Sequence, residues 1–115
     1  MLASQVTSLT NTQRPIFSAL TCAVGDDSMP GIRSLAGALV LNPDGGAIAA
    51  LAPSGLSLDR DAQQLGNAFM DGLFLDGLSI GEAVLGAKWQ TSGTIQPFMQ
   101  RMYSIVGDPG IYVGP

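Results

Sequence analysis

Cys22 is the single cysteine of this 115-residue sequence, and no histidine accompanies it. A thiol reacts as its thiolate, a strong nucleophile whose population depends on its surroundings. One cysteine cannot close an internal disulfide, so Cys22 is either a buried thiol or a reacting one. The missing imidazole removes the usual base for such a nucleophile and also the commonest metal ligand. Asp26 and Asp27 follow closely. They would set the charge preference of a substrate or hold a cation, or they simply keep a loop solvated, and carboxylates this near oppose thiolate formation by like-charge repulsion. Ser54, in the phrase Pro53-Ser54-Gly55, lines the same cleft as Cys22 or makes a turn, and Ser57 is expected to cap a helix or make a turn. Gly45-Gly46 is not followed by Lys-Ser/Thr and reads as a turn rather than a phosphate loop. Trp89 reads as a packing residue at a helix end. No metal site and no cofactor are expected.

These residues need elements to position them. Ile16 to Thr21 is a short, mostly apolar run after Pro15, suited to a buried strand that ends at Cys22. The Met1 to Arg14 stretch before it reads as a loop or short helix. Val24 to Gly31 is loop chemistry, rich in Gly, Asp and Pro. Ser34 then caps a buried helix that stops near Asn42-Pro43. Ala47 to Ala52 follows as a second buried strand of small residues. Strand, helix and strand in this order form a βαβ unit with parallel strands. Leu65, Ala68, Phe69, Gly72 and Leu73 have the spacing of an amphipathic helix, entered past Asp59 and Asp61, which suit the positive end of the helix dipole. Ser79 with Glu82 predicts a capping box, and Ile80, Ala83, Val84 and Ala87 supply the apolar stripe of the next helix. Pro97 opens a last short helix holding Phe98, Met102 and Ile105. Gly107 to Gly110 is a turn into a possible final strand, Ile111 to Val113.

Composition sets the outer bounds. Only 12% of residues are charged while 46% are apolar, against roughly 25% charged in an average soluble domain. Either the surface is unusually neutral, or part of it faces another stretch of protein. Nine acidic and five basic residues are scattered along the chain, for a net charge of -4, so no basic footprint exists for nucleic acid. The apolar stretches Leu35 to Leu41 and Gly45 to Leu56 fall short of the roughly 18 to 20 residues of a membrane span. Neither partner is expected. The opening MLASQVTSLT has no basic residue and no apolar core of the secretory type, so no leader is expected within it.

Four phrases in order, PIFSALTCAVG (15 to 25), SLAGALVLNPDGGAIAALAPSGLSL (34 to 58), LSIGEAVLGAK (78 to 88) and YSIVGDPGIYV (103 to 113), resemble the gingipain-like cysteine peptidases. The resemblance implies an α/β fold: the C-terminal part of a caspase-like parallel sheet with flanking helices, a βαβ unit followed by helices and a short final strand. Residues 1–115 would then be a partial peptidase domain that begins just before the nucleophile strand. It also implies that Cys22 is the nucleophile of a cysteine endopeptidase, with Gly25 matching the glycine that closely follows it. Ala23, Gly25, Asp26 and Ser54 become substrate-cleft candidates, and the Cys22 main-chain N–H becomes an oxyanion donor. A protein or peptide is the implied substrate. The family's histidine lies on an earlier strand, so a missing N-terminal half of the domain would have to supply it, and the chain alone would be close to inert. The alternative is a catalytically inert, truncated relative that acts as a binding or assembly module. Where the family often has Glu, Gly37 stands three residues after Ser34, so a capping box is lost there. A bacterial, extracellular or cell-surface address is implied by the resemblance alone.

Overall fold

The computed structural model describes residues 3–20, 25–26 and 33–113. After a short 3-10 helix, Ala3–Ser8, come β1 (Ile16–Ser18), α1 (Leu35–Leu41), β2 (Ala49–Pro53), α2 (Asp59–Phe74), α3 (Ile80–Gln90), α4 (Pro97–Met102) and β3 (Tyr103–Gly107). Among the described residues these strands form one sheet in the order β1-β2-β3. β1 pairs with β2 in parallel, with Ile16 opposite Ala49, and β2 pairs with β3 antiparallel, with Ala50 opposite Val106. This is the mixed α/β architecture expected of a caspase-like sheet with flanking helices.

Alternation along β2 divides the core in two. Ala49 and Leu51 pack into the large cluster with Leu65, Phe69 and Leu73 of α2 and Ile80 and Ala83 of α3. Ala50 and Ala52 point the other way, onto Ala36 of α1, with Val40 and Phe17 beside them. Successive side chains of a strand leave on opposite faces, so β2 lies between two helical layers, and every one of its residues is buried. Its alanines have a reason: with Ala36 opposite Ala50 and Ala52, small side chains let α1 approach the sheet closely.

The helix stripes predicted from spacing are the ones the fold buries. Leu65, Ala68, Phe69, Gly72 and Leu73 of α2, and Ile80, Ala83, Val84 and Ala87 of α3, all lie in the interior. Each large apolar side chain hidden this way contributes about 1.5–3 kcal/mol. Ser34 caps α1 by accepting from the Gly37 N–H at 3.0 Å. Half of the reciprocal cap therefore survives without a Glu at position 37. α3 has the full box: Ser79 Oγ accepts from the Glu82 N–H at 3.3 Å, and Glu82 Oε1 accepts from the Ser79 N–H at 3.2 Å.

Four local expectations need correction. β1 is shorter than the run to Thr21, since pairing stops at Ser18. The last helix ends at Met102, and Ile105 lies in β3 instead. The aromatic and β-branched Tyr103-Ser104-Ile105-Val106 prefers the pleated surface beside β2 over a further helical turn. The Ile111 to Val113 segment makes a single antiparallel bridge, Ser79 to Tyr112, rather than a strand. Trp89 is 84% exposed, on the side of α3 away from its buried stripe, so it is not a packing residue.

The opening segment is tied down by polar contacts. Asn42 Nδ2 donates to the Val6 carbonyl at 2.9 Å, and Asn11 bonds both the N–H and the C=O of Gly46. Gly46 has φ 92° and its missing Cβ would run into the Leu39 carbonyl, so only glycine makes this turn.

Candidate functional site

Parallel pairing puts the carboxyl ends of β1 and β2 on the same rim of the sheet, where ligands of open α/β sheets gather. Ala19 continues past β1 by donating its N–H to the Leu51 carbonyl at 2.9 Å. Cys22 and Ala23 lie outside the described residues, as does Asp27. The chain is described again at Gly25, whose N–H donates to the Pro53 carbonyl at 2.8 Å. Ala19 and Gly25, which stand on either side of Cys22 in the sequence, are thus both bonded to the last strand positions of β2.

Gly25 sits where little else fits. A Cβ there would come within 3.0 Å of the Ala52 Cβ and 3.2 Å of the Ala52 carbonyl oxygen. Small residues on both strands let the loop lie against the sheet end. Asp26 is half-buried beside it. Ser54, the residue just after β2, is exposed, and its N–H donates to the Met102 carbonyl at 3.0 Å. Gly25, Asp26 and Ser54 are therefore brought to one rim.

The far wall of this rim comes from α4 and β3, which the sequence reading did not assign to the site. Tyr103 is fully buried, yet its hydroxyl reaches Ser57 Oγ at 2.8 Å. Ser57 was expected to cap α2 or make a turn. It does not cap: Leu58 takes the cap position with no side-chain bond, so Ser57 ties the rim loop to Tyr103 instead. The Leu58 N–H donates to Met99 Sδ at 3.3 Å, and Met102 Sδ lies 3.0 Å from where a Cβ on Gly55 would stand. Two thioethers and a phenol thus shape the Ser54–Leu58 loop. A hydroxyl four residues beyond β2, and an aromatic opening a β-branched run, were the signals available for this contact.

Two charged groups support the wall. Lys88 Nζ donates to the Tyr103 carbonyl at 2.6 Å. Burial pushes its ammonium below the usual lysine range. Asp61, buried in the first turn of α2, accepts from the Gln96 N–H at 2.9 Å and so fixes the entry to α4. The dipole reading of Asp61 was incomplete. Its carboxylate also orients the helix that carries Met99 and Met102. Among the described residues no three His, Cys, Asp or Glu side chains gather as a metal site would require.

A mixed α/β fold with a parallel pair between helical layers is that of the caspase-like cysteine peptidases. The profile of peptidase family C25 matches residues 1–113, and the chain belongs to this family of gingipain-like cysteine peptidases. Among solved structures it is similar to the Arg-specific cysteine proteinase gingipain R, with a TM-score of 0.85 and 18% sequence identity over 96% of this chain. The match covers 28% of that proteinase chain, so the present chain spans little more than a quarter of its relative. No curated protein matches the sequence.

Proposed function

We propose that the chain is the nucleophile-bearing part of a cysteine endopeptidase, with Cys22 attacking the peptide carbonyl and the imidazole supplied by polypeptide outside these 115 residues. The observation that carries the reading is the Gly25 N–H to Pro53 carbonyl bond, which holds the loop after Cys22 against the carboxyl end of β2 beside the exposed Ser54. In the reaction, the Cys22 sulfur bonds to the carbonyl carbon and the C–N bond breaks. The leaving amine takes its proton from the imidazolium, and water then hydrolyses the thioester to a carboxylic acid and free thiol. Ala23, Gly25, Asp26 and Ser54 line the cleft in this reading. Protein or peptide is the substrate class. The Arg specificity belongs to the solved relative and is not carried over to this chain.

The sequence contains no His, which favours a second reading as an inert binding or assembly module. A thiol at its ordinary pKa of about 8.5 is only a few per cent ionised at neutrality, so the two readings differ in what the fold does for Cys22. Mass spectrometry of the folded chain treated with a nitrophenyl ester of an N-capped amino acid, with and without added imidazole, separates them. The peptidase reading expects acyl transfer to Cys22 that exceeds the rate of the same thiol in the urea-unfolded chain and rises with imidazole. Acylation no faster than in the unfolded chain supports the inert module and overturns the peptidase reading.

A further inference from the structure

Met102 holds the rim loop in two ways. Its carbonyl accepts the Ser54 N–H at 3.0 Å, just beyond the last ladder pair, Pro53 opposite Tyr103. Its sulfur lies over Gly55, 3.0 Å from where a Cβ would stand, so the thioether takes the space a side chain would need. On its other side Met102 packs against the main core cluster. Further along the loop, Ser57 Oγ and the Tyr103 hydroxyl meet at 2.8 Å, and the Leu58 N–H donates to Met99 Sδ at 3.3 Å. The loop from Ser54 to Leu58 is thus seated on sulfur at both Gly55 and Leu58.

Oxidation to the sulfoxide turns the flexible, apolar methionine side chain into a polar, chiral one. The described methionines differ in how open they are to it. Met70 is 36% exposed, Met102 is half-buried, and Met99 is fully buried with its sulfur engaged by the Leu58 N–H. A reagent in water reaches Met70 and Met102 but not Met99. The consequences differ as well. Met70 stands about three turns along α2 from the end that follows the rim loop, so an added oxygen there leaves the loop alone. At Met102 the new oxygen has two places to go. Turned inward it is a polar atom without a partner against the apolar cluster, which is unfavourable; turned to water it rotates the sulfur off Gly55. The second course is favoured, and it unseats the loop.

We propose that Met102 is an oxidative modification site, taken to the sulfoxide by hydrogen peroxide, and that its sulfoxide releases the loop from Ser54 to Leu58 and so makes the rim responsive to oxidants. In the step, the thioether sulfur gives an electron pair to one peroxide oxygen. The S–O bond forms, the O–O bond breaks and the other oxygen leaves as water, so sulfur is oxidised and peroxide is reduced. The modification is reversible, because methionine sulfoxide reductases return each epimer to the thioether. Release of the loop does not depend on Cys22. Its consequence does rest on the peptidase reading: a displaced Ser54 takes one lining residue out of the substrate cleft, and oxidants then act on this rim through a second sulfur besides the thiol.

Peptide mapping and NMR of the full chain carrying Cys22→Ser, in which no thiol competes for the oxidant, test it under limiting hydrogen peroxide. Met70 and Met102 each gain one oxygen while Met99 stays a thioether. In proportion to the Met102 sulfoxide, the Ser54 amide loses its hydrogen-exchange protection and the Gly55 and Ser57 resonances shift, while the Ala83 and Val84 amides of α3 keep their protection. The two epimer-specific methionine sulfoxide reductases, with dithiothreitol, restore the starting spectrum. Met102→Leu abolishes the rim response and Met70→Leu retains it. Should Met102→Leu fail to fold, the Met70→Leu chain and the reductase reversal carry the same assignment. Four outcomes overturn the proposal: Met99 oxidised ahead of Met102, a Met102 sulfoxide with unmoved rim resonances, a rim response that persists in Met102→Leu, or loss of dispersion across the whole spectrum. The readout comes from a chain without the Cys22 thiol, so failure here is distinguishable from failure of the acylation experiment.

Discussion

Tyr103 shows how much of the rim rests on single atoms. Its ring lies in the core and its hydroxyl is within 2.8 Å of Ser57 Oγ. Removing the hydroxyl in Tyr103→Phe leaves the packing intact, so the loss should be that of a neutral hydrogen bond, about 0.5–1.5 kcal/mol. Urea unfolding of Tyr103→Phe, Ser57→Ala and the double variant checks this. The double variant should cost less than the sum of the singles, as groups in contact are not additive. Ser18 presents the opposite case. Its hydroxyl is buried with no partner among the described residues. Replacing an unsatisfied buried hydroxyl removes a desolvation penalty, so Ser18→Ala should leave the urea midpoint unchanged or raise it. A clear drop would mean that a neighbouring group satisfies the hydroxyl.

At the scale of the element, α3 is the most fully specified piece of the chain. Bonds from the Ser79 hydroxyl and main chain hold the Glu82 carboxyl below the usual carboxylate range, with a smaller contribution from Tyr112. A depressed folded-state value means that the stabilisation is complete above the unfolded-state pKa and is lost as pH falls through the folded one. An NMR titration should show Glu82 shifted down in the native chain and returned toward its ordinary value in Ser79→Ala, which also loses about 1 kcal/mol of stability as a cap deletion. Trp89, on the exposed side of the same helix, is the only tryptophan. Its emission should therefore be that of a solvated indole, strongly quenched by acrylamide; blue-shifted, protected emission would contradict the exposed position.

The same elements show what the sequence made legible. Ser79 with Glu82, and the stripes through Leu65 to Leu73 and Ile80 to Ala87, follow from local rules, because a cap and an amphipathic face are written in neighbouring residues. β3 was not legible in that way. Tyr103 to Gly107 becomes a strand only because β2 lies beside it, and Pro97 upstream invited the helix to be read too far. Ser57 misled for a related reason: a serine two residues before a helix fits a cap, and only the fold reveals a phenol forty-six positions away. Gly25, Asp26 and Ser54 share one rim, since a parallel pair sends both following segments to the same end. Their wall, made by Met99, Met102 and Tyr103, came from long-range packing that no local pattern records.

Among the described residues the molecule is built on a sheet of three strands between helical layers, and its composition fits that arrangement. With 12% charged residues and Leu41, Leu56, Phe74, Leu75, Leu85 and Trp89 all more than half exposed, the chain has a neutral and partly apolar exterior. Such a surface is expected to associate weakly in solution. Sedimentation velocity should show an apparent mass that rises with concentration, and Phe74→Lys should reduce that rise, because Phe74 is one of these exposed side chains. The peptidase family and the caspase-like fold account for the layers and the parallel pair.

Iodoacetamide alkylation of Cys22 in the folded chain, compared with the same chain unfolded in urea, tests that account most directly. An accessible rim thiol should react in the native state at least as fast as in the unfolded one. Alkylation slowed by orders of magnitude in the native state, and restored by unfolding, would put the sulfur inside the packed core and contradict the assignment of Cys22 as a nucleophile.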